Sequence, residues 1–205
     1  MGDLDEYAAC QAALVPLHAA RRSARAAEFG AYRLLHAATA RGEALGAELC
    51  PILSSLRPDD ARSAAVRQAL RVAVALAAED LRPLFAELRA GLHHRGGRLL
   101  DPKLPPLRER ALRVLCSAFA PSIPLPTVAR ALGWRDGGGE RGGEGEGAAA
   151  GPARCAAWLR SLGVVPVPTA QSCGSLQVMC KPALRTLAAR CEALQRDEEE
   201  GPAPR

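Results

Sequence analysis

Leu4, Tyr7, Leu14 and Leu17 recur at the spacing of one helix face, with Asp3, Asp5 and Glu6 in front, where the positive end of a helix dipole favours acids. The pattern predicts a first helix over 3–20. A second is expected over 24–40, with Phe29, Tyr32, Leu34 and Leu35 crowding one side and Gly42 ending it. A third runs from Glu43 through Leu45, Leu49, Ile52, Leu53 and Leu56, bends near Pro51 and stops before Pro58. Asp59 and Asp60 offer a cap for a fourth helix over 60–78, where Val66, Leu70, Ala73, Val74 and Ala77 repeat at helical spacing. A fifth, over 79–91, carries Leu81, Leu84, Phe85 and Leu88 and tolerates Pro83 only in its first turn. Gly96 to Pro106 reads as a loop, and a sixth helix then carries Leu107, Ala111, Leu112, Leu115 and Phe119. Helices in series joined by short turns predict antiparallel pairs stacked as a repeat over 1–121.

The grammar changes after Pro121. Leu125–Leu132 and Ala153–Leu162 read as two short helices, the second capped by Gly163. Val164–Val167 and Ser175–Cys180 read as a β-hairpin with a loose tip. Helix, helix, hairpin is the order of a winged helix, here expected over 122–187. The Gly/Glu stretch within 135–152 has too little apolar surface to fold and is expected to be a disordered insertion. The segment 188–205 is expected to be a helix end followed by a frayed polar tail beginning near Arg196. The predicted fold is thus an all-α helical repeat with a C-terminal winged-helix module carrying a small hairpin.

Aromatics make up only 3% of the chain, so its core must come from Leu, Ala and Val, which suits closely packed helices. The net charge of +5 is almost wholly arginine, since Lys103 and Lys181 are the only lysines. Arginine is abundant throughout, so position carries more information than total. No acid occurs between Glu109 and Asp136, nor between Glu146 and Glu192. Arg130, Arg154, Arg160, Lys181 and Arg185 lie in those stretches and form a candidate surface for nucleic-acid phosphates. A solvated basic surface explains the same residues equally well. The sequence shows no aromatic stacking platform to go with them.

No apolar run approaches the roughly 20 residues needed to cross a bilayer, and the acidic start lacks the basic region of a signal peptide; a soluble, intracellular chain is expected. The seven scattered cysteines contain no C-x-x-C pair and are expected to be reduced and mostly buried.

Catalytic chemistry is hard to find. The Gly-rich stretch has no preceding strand and no following Lys-Ser/Thr, so it lacks what a phosphate loop needs. Adjacent His93 and His94 project in different directions and cannot make a same-face metal pair. His18 and His36 would approach one another if the first two helices are antiparallel, but no Cys or carboxylate stands at matching spacing. Cys173 and Ser175 have no His nearby and no nucleophile elbow. The expectation is no enzyme, no metal, no cofactor and no small-molecule substrate.

Five blocks carry a resemblance: Gly2–Leu14, containing Gln11; Glu28-Phe29-Gly30-Ala31-Tyr32-Arg33-Leu34-Leu35; Ala65–Ala73; Arg108–Leu112; and Phe119–Pro124. In this order, over about residues 2–185, the chain resembles the Sac-three/GANP family, most closely the branch of leukocyte receptor cluster member eight and yeast Thp-three. The Glu-Phe-x-Ala-Tyr-Arg block is the most specific. The resemblance implies a PCI-like architecture and a nuclear scaffold in messenger-RNA biogenesis, assembled with another PCI subunit and often a small acidic peptide, with RNA or DNA as a further partner. It also implies that an upstream part of the first repeat is missing and that the turn around Phe85 has fewer aromatics than in relatives. On their own, Phe29 and Tyr32 read as one packed side of a helix, with Glu28 or Arg33 pairing locally. Acids of the Gly/Glu stretch lying across the basic face would compete with phosphate. A different class of function keeps the fold but not the nucleic acid: a protein-binding PCI subunit of a proteasome-lid, signalosome or translation-initiation assembly.

Overall fold

The computed structural model describes residues 2–21, 25–40, 43–93, 95–134, 151–169 and 175–200. Gly42, His94, Cys173, the stretch 135–150 and the hairpin tip 170–174 lie outside the described residues, and so do the expectations placed on them. The chain divides into two compact units, Met1–Leu104 and Pro105–Arg205. The sixth helix, which periodicity groups with the repeat, therefore belongs almost entirely to the second unit.

In the first unit, α1 (Gly2–Arg21) runs antiparallel to α2 (Ala26–Ala37): Tyr7 meets His36 at 5.4 Å between ring centroids, and His18 meets Phe29 at 4.9 Å. Antiparallel pairing keeps His18 and His36 at opposite ends, so the expected approach of the two histidines does not occur. α3 (Glu43–Ser55) follows, and the next helix is broken in two. A single turn, α4 (Pro58–Ala61), precedes α5 (Ala64–Ala77), because Ser63 Oγ accepts the Val66 N–H and caps α5. Asp60, expected as the cap, instead accepts from Arg57 Nε at 3.0 Å. α2 and α5 form the centre of this unit. Leu34, Val66 and Val72 are fully buried there, whereas Val74, read as part of the buried stripe, is 66% exposed.

Asp80 caps α6 (Leu81–Ala90) by accepting the Arg82 N–H, and Leu84 and Phe85 are the buried face. The expected loop after it is largely helical: α7 (Gly96–Leu100), then a 3-10 turn, Asp101–Lys103. Gly96 is needed for closeness rather than for turning, since a Cβ there would stand 2.7 Å from Leu35 Cδ1.

In the second unit, α8 (Leu104–Ala118) leads to β1 (Ser122–Pro124), α9 (Leu125–Ala131), α10 (Gly151–Ser161), β2 (Val167–Pro168), β3 (Leu176–Met179) and α11 (Cys180–Glu200). The strands form one antiparallel sheet in the order β1-β3-β2, with Ile123 opposite Val178 and Val167 opposite Gln177. The hairpin is thus shorter than expected, as Val165 is 66% exposed, and β1 is a strand that periodicity did not suggest. Gly151 and Pro152, assigned to the insertion, begin α10, and the helix expected to fray near Arg196 continues to Glu200. Leu112, Val128, Leu159, Val178 and Leu187 are fully buried and draw one residue from each of five elements into a common core. Phe119, expected on the buried side of the sixth helix, is 50% exposed just beyond its end.

Candidate nucleic-acid interface

Two helix ends shape the second unit's surface. α9 ends at Gly133, whose φ of 81° sends the chain back so that the Gly133 N–H reaches the Arg130 carbonyl and the Trp134 N–H the Ala129 carbonyl at 3.0 Å. α10 repeats this motif at Gly163, also at φ 81°, with the Val164 N–H donating to the Leu159 carbonyl at 2.9 Å. Such left-handed glycine caps satisfy the last carbonyls and fold the following apolar residue inward. Val164 and Trp134 are accordingly buried.

Trp134 is held from α8 by Arg108, whose guanidinium lies 4.2 Å from the indole centroid and whose Nε donates to the Leu132 carbonyl at 3.2 Å. A cation over an indole contributes about 0.5–2 kcal/mol, the larger figure where water is excluded. Trp158 of α10 lies beside Trp134 at 5.2 Å between centroids, tilted by 52°. Unlike Trp134, Trp158 is only half-buried. The sequence did not foresee this aromatic pair: the two tryptophans stand 24 positions apart, and the glycine cap of α9 and the packing of α9 on α10 bring them together. The readable signal was that they flank the Gly/Glu stretch, one at each helix.

Arg130, Arg154, Arg160, Lys181 and Arg185 are all exposed. They sit on three helices: Arg130 at the end of α9, Arg154 and Arg160 on α10, Lys181 and Arg185 on α11. Lys181 and Arg185, one turn apart, share a side of α11. Arg154 and Arg160 differ by six residues and point about 120° apart around α10. Among the described residues from 111 to 191 there is no acid. Glu109, at the start of the unit, is engaged by Arg113 at 2.7 Å and by Arg190 at 3.9 Å. Beneath the surface, burial pushes the Cys155 thiol up to about 12, and Arg108 only partly offsets this. Cys116 is likewise pushed up to about 12 by burial and by neighbouring Cys180. Cys116, Cys155 and Cys180 are buried thiols as expected, whereas Cys10 and Cys50 are exposed.

The Glu28–Arg33 block lies in the first unit and organises helix packing. Tyr32 Oη donates to Glu28 at 2.8 Å and accepts the Arg95 N–H at 3.2 Å, which ties α2 to the segment before α7. Phe29 packs edge-on to Tyr32 at 6.0 Å, and Ala31 is buried. Arg33 and Gln11 line a cleft of about 570 Å³ together with Tyr7 and His36. Gln11 is 7% exposed, and its Oε1 has no hydrogen-bond partner among the described residues. Sequence reasoning missed Gln68, the second buried polar residue: its amide donates to Glu87 and to the Gly91 carbonyl and accepts the His93 N–H at 2.8 Å. Arg71 completes this clamp by pairing with Glu87.

The chain is 30% identical over 135 residues to a THP3 homolog of Schizosaccharomyces pombe, covering 66% of this chain and 33% of that protein. It is 28% identical over 162 residues to SAC3 family protein A of Arabidopsis thaliana, covering 79% of this chain and 16% of that protein. These relatives support a SAC3/THP3-type family. The chain spans about a third of one relative's length and about a sixth of the other's. No family model and no solved structure matches it. Among the described residues, no helix is long and apolar enough to cross a membrane.

Proposed function

We propose that this SAC3/THP3-type chain is a non-catalytic scaffold subunit in nuclear messenger-RNA biogenesis, in the branch of leukocyte receptor cluster member eight and Thp-three. The observation that carries the reading is the similarity to a THP3 homolog and a SAC3 family protein over 66% and 79% of the chain. In this reading the first unit is a PCI-like repeat that docks another PCI subunit and a small acidic peptide. The second unit is a winged helix whose β2–β3 pair is the wing and whose basic helices face an RNA backbone. The strand, helix, helix, strand, strand order and the acid-free stretches support that assignment. Neither role needs a reacting group: helical repeats offer extended protein surfaces, and holding phosphates needs only positioned cations.

Affinity capture of the tagged chain from nuclear extract, with and without RNase, tests the pathway. The expected result is a PCI partner together with splicing or export factors, some of them lost after RNase. Recovery of proteasome-lid or translation subunits unaffected by RNase would overturn the messenger-RNA reading.

A further inference from the structure

Trp158 combines three properties that no other aromatic in the second unit shares. It is half-buried rather than buried, so part of the indole meets solvent. It is backed by Trp134, itself fixed by Arg108 and by the Gly133 cap, so the exposed ring is held by a rigid support rather than by a loop. It also follows exposed Arg154 by four residues on α10, which places an indole and a guanidinium on one side of one helix. An aromatic face beside a cation, with no acid among the described residues from 111 to 191, matches what an unpaired nucleotide offers: a flat base to stack and an adjacent phosphate to neutralise.

We propose that Trp158 and Arg154 form a subsite for one nucleotide of a single-stranded nucleic acid, the base stacking on the Trp158 indole and the neighbouring phosphate pairing with Arg154. This rests on the reading of the second unit as the nucleic-acid-binding part, and adds to it that the strand must be unpaired. A duplex keeps its bases stacked on each other and has none to give to the indole. Stacking needs no ribose hydroxyl, so RNA and DNA single strands both fill the subsite.

The chain's only tryptophans are Trp134 and Trp158, so its tryptophan fluorescence reports on the subsite and on the ring that backs it. Unlabelled oligoadenylate of about 12 nucleotides, within the length one single-strand groove covers, is titrated into the full chain while quenching is followed. Binding is measured in parallel by polarisation of the same oligonucleotide carrying a dye. The expected result is saturable quenching by RNA and by the matching DNA single strand, and none by the duplex at equal concentration. Trp158→Ala is expected to weaken binding about 5- to 150-fold. Trp158→Phe, which keeps a stacking ring and controls for folding, is expected to retain most of the affinity, and Arg154→Glu to lose both affinity and quenching. Polarisation binding without quenching, unchanged in Trp158→Ala, would overturn the stacking subsite and leave a phosphate-only surface standing. Quenching by the duplex as strong as by the single strand would also overturn it. Absence of binding by either readout would remove the subsite and the nucleic-acid role of this unit together.

Discussion

The two units handle charge in opposite ways. In Met1–Leu104, acids and bases are interleaved and pair with one another: Arg57 with Asp60 and Arg62 with Asp59 within a turn, and Arg71 with Glu87 between α5 and α6. In Pro105–Arg205, Glu109 apart, the acids are segregated into the Gly/Glu stretch that Asp136 opens and the run from Glu192 to Glu200, and the residues between carry bases alone. The polar residues that matter to folding differ too. The first unit places them inside, where Gln68 and Tyr32 tie helices to the segment around 91–95. The second ends two helices on left-handed glycines and keeps most of its cations outside. Exposed ion pairs contribute little to stability, so interleaved charge mainly neutralises a surface, whereas segregated charge leaves a field. In the proposed function, this contrast is what assigns protein docking to one unit and phosphate to the other.

The largest effects should come from the two cores. Leu34→Ala in the first unit and Leu159→Ala in the second each remove a fully buried side chain, and each should cost about 3–5 kcal/mol in chemical denaturation. A loss below about 1 kcal/mol at either position would mean that the core there is not packed as described. Gln68→Ala should cost about 1–3 kcal/mol, because the Gly91 carbonyl and the His93 N–H lose their shared buried partner. Arg108→Ala should cost less, about 0.5–2 kcal/mol, and should alter tryptophan fluorescence because the cation leaves the Trp134 face.

The smallest effect is one of pH. The Glu87 carboxyl is held below its ordinary value of 4.5, first by the hydrogen bond from Arg71 and then by that from Gln68, against the opposing pull of burial. A depressed carboxylate contributes stability above its unfolded value and loses it as pH falls through its folded value. Thermal melts of wild type and Glu87→Gln should therefore differ near neutral pH and converge in acid below 4.5. A gap that widened on acidification would contradict the clamp.

How much of this was legible depended on whether the determinant was local. Helices whose apolar residues repeat, such as Leu34 with Leu35 and Val66 with Ala73, could be read from spacing, because periodicity is written along the chain. The cap of α5 could not be chosen from sequence, since Ser63 and two aspartates all stand within reach of the helix start. The segment 96–103 read as a loop because Gly96, Gly97 and Pro102 are turn residues, yet Gly96 is there to let α7 approach Leu35. β1 is three residues long and exists by pairing with β3, more than 50 residues away, which no local pattern announces. Of the proposed cationic residues, sequence supplied identity and exposure followed, but the sides they occupy on α10 required the helix itself. The tryptophan pair was invisible because its two members are joined only by the fold.

The most direct test of the division between units is the salt dependence of single-stranded RNA binding by charge-reversed variants. Arg154→Glu with Arg160→Glu reverses two cations of the second unit, and Arg67→Glu with Arg82→Glu reverses two exposed cations of the first. The second-unit pair should weaken binding and flatten the slope of log K against log salt by about 0.7 for each phosphate no longer neutralised, while the first-unit pair should leave affinity and slope near wild type. The reverse pattern, with the first-unit pair losing affinity and slope and the second-unit pair unaffected, would contradict that division.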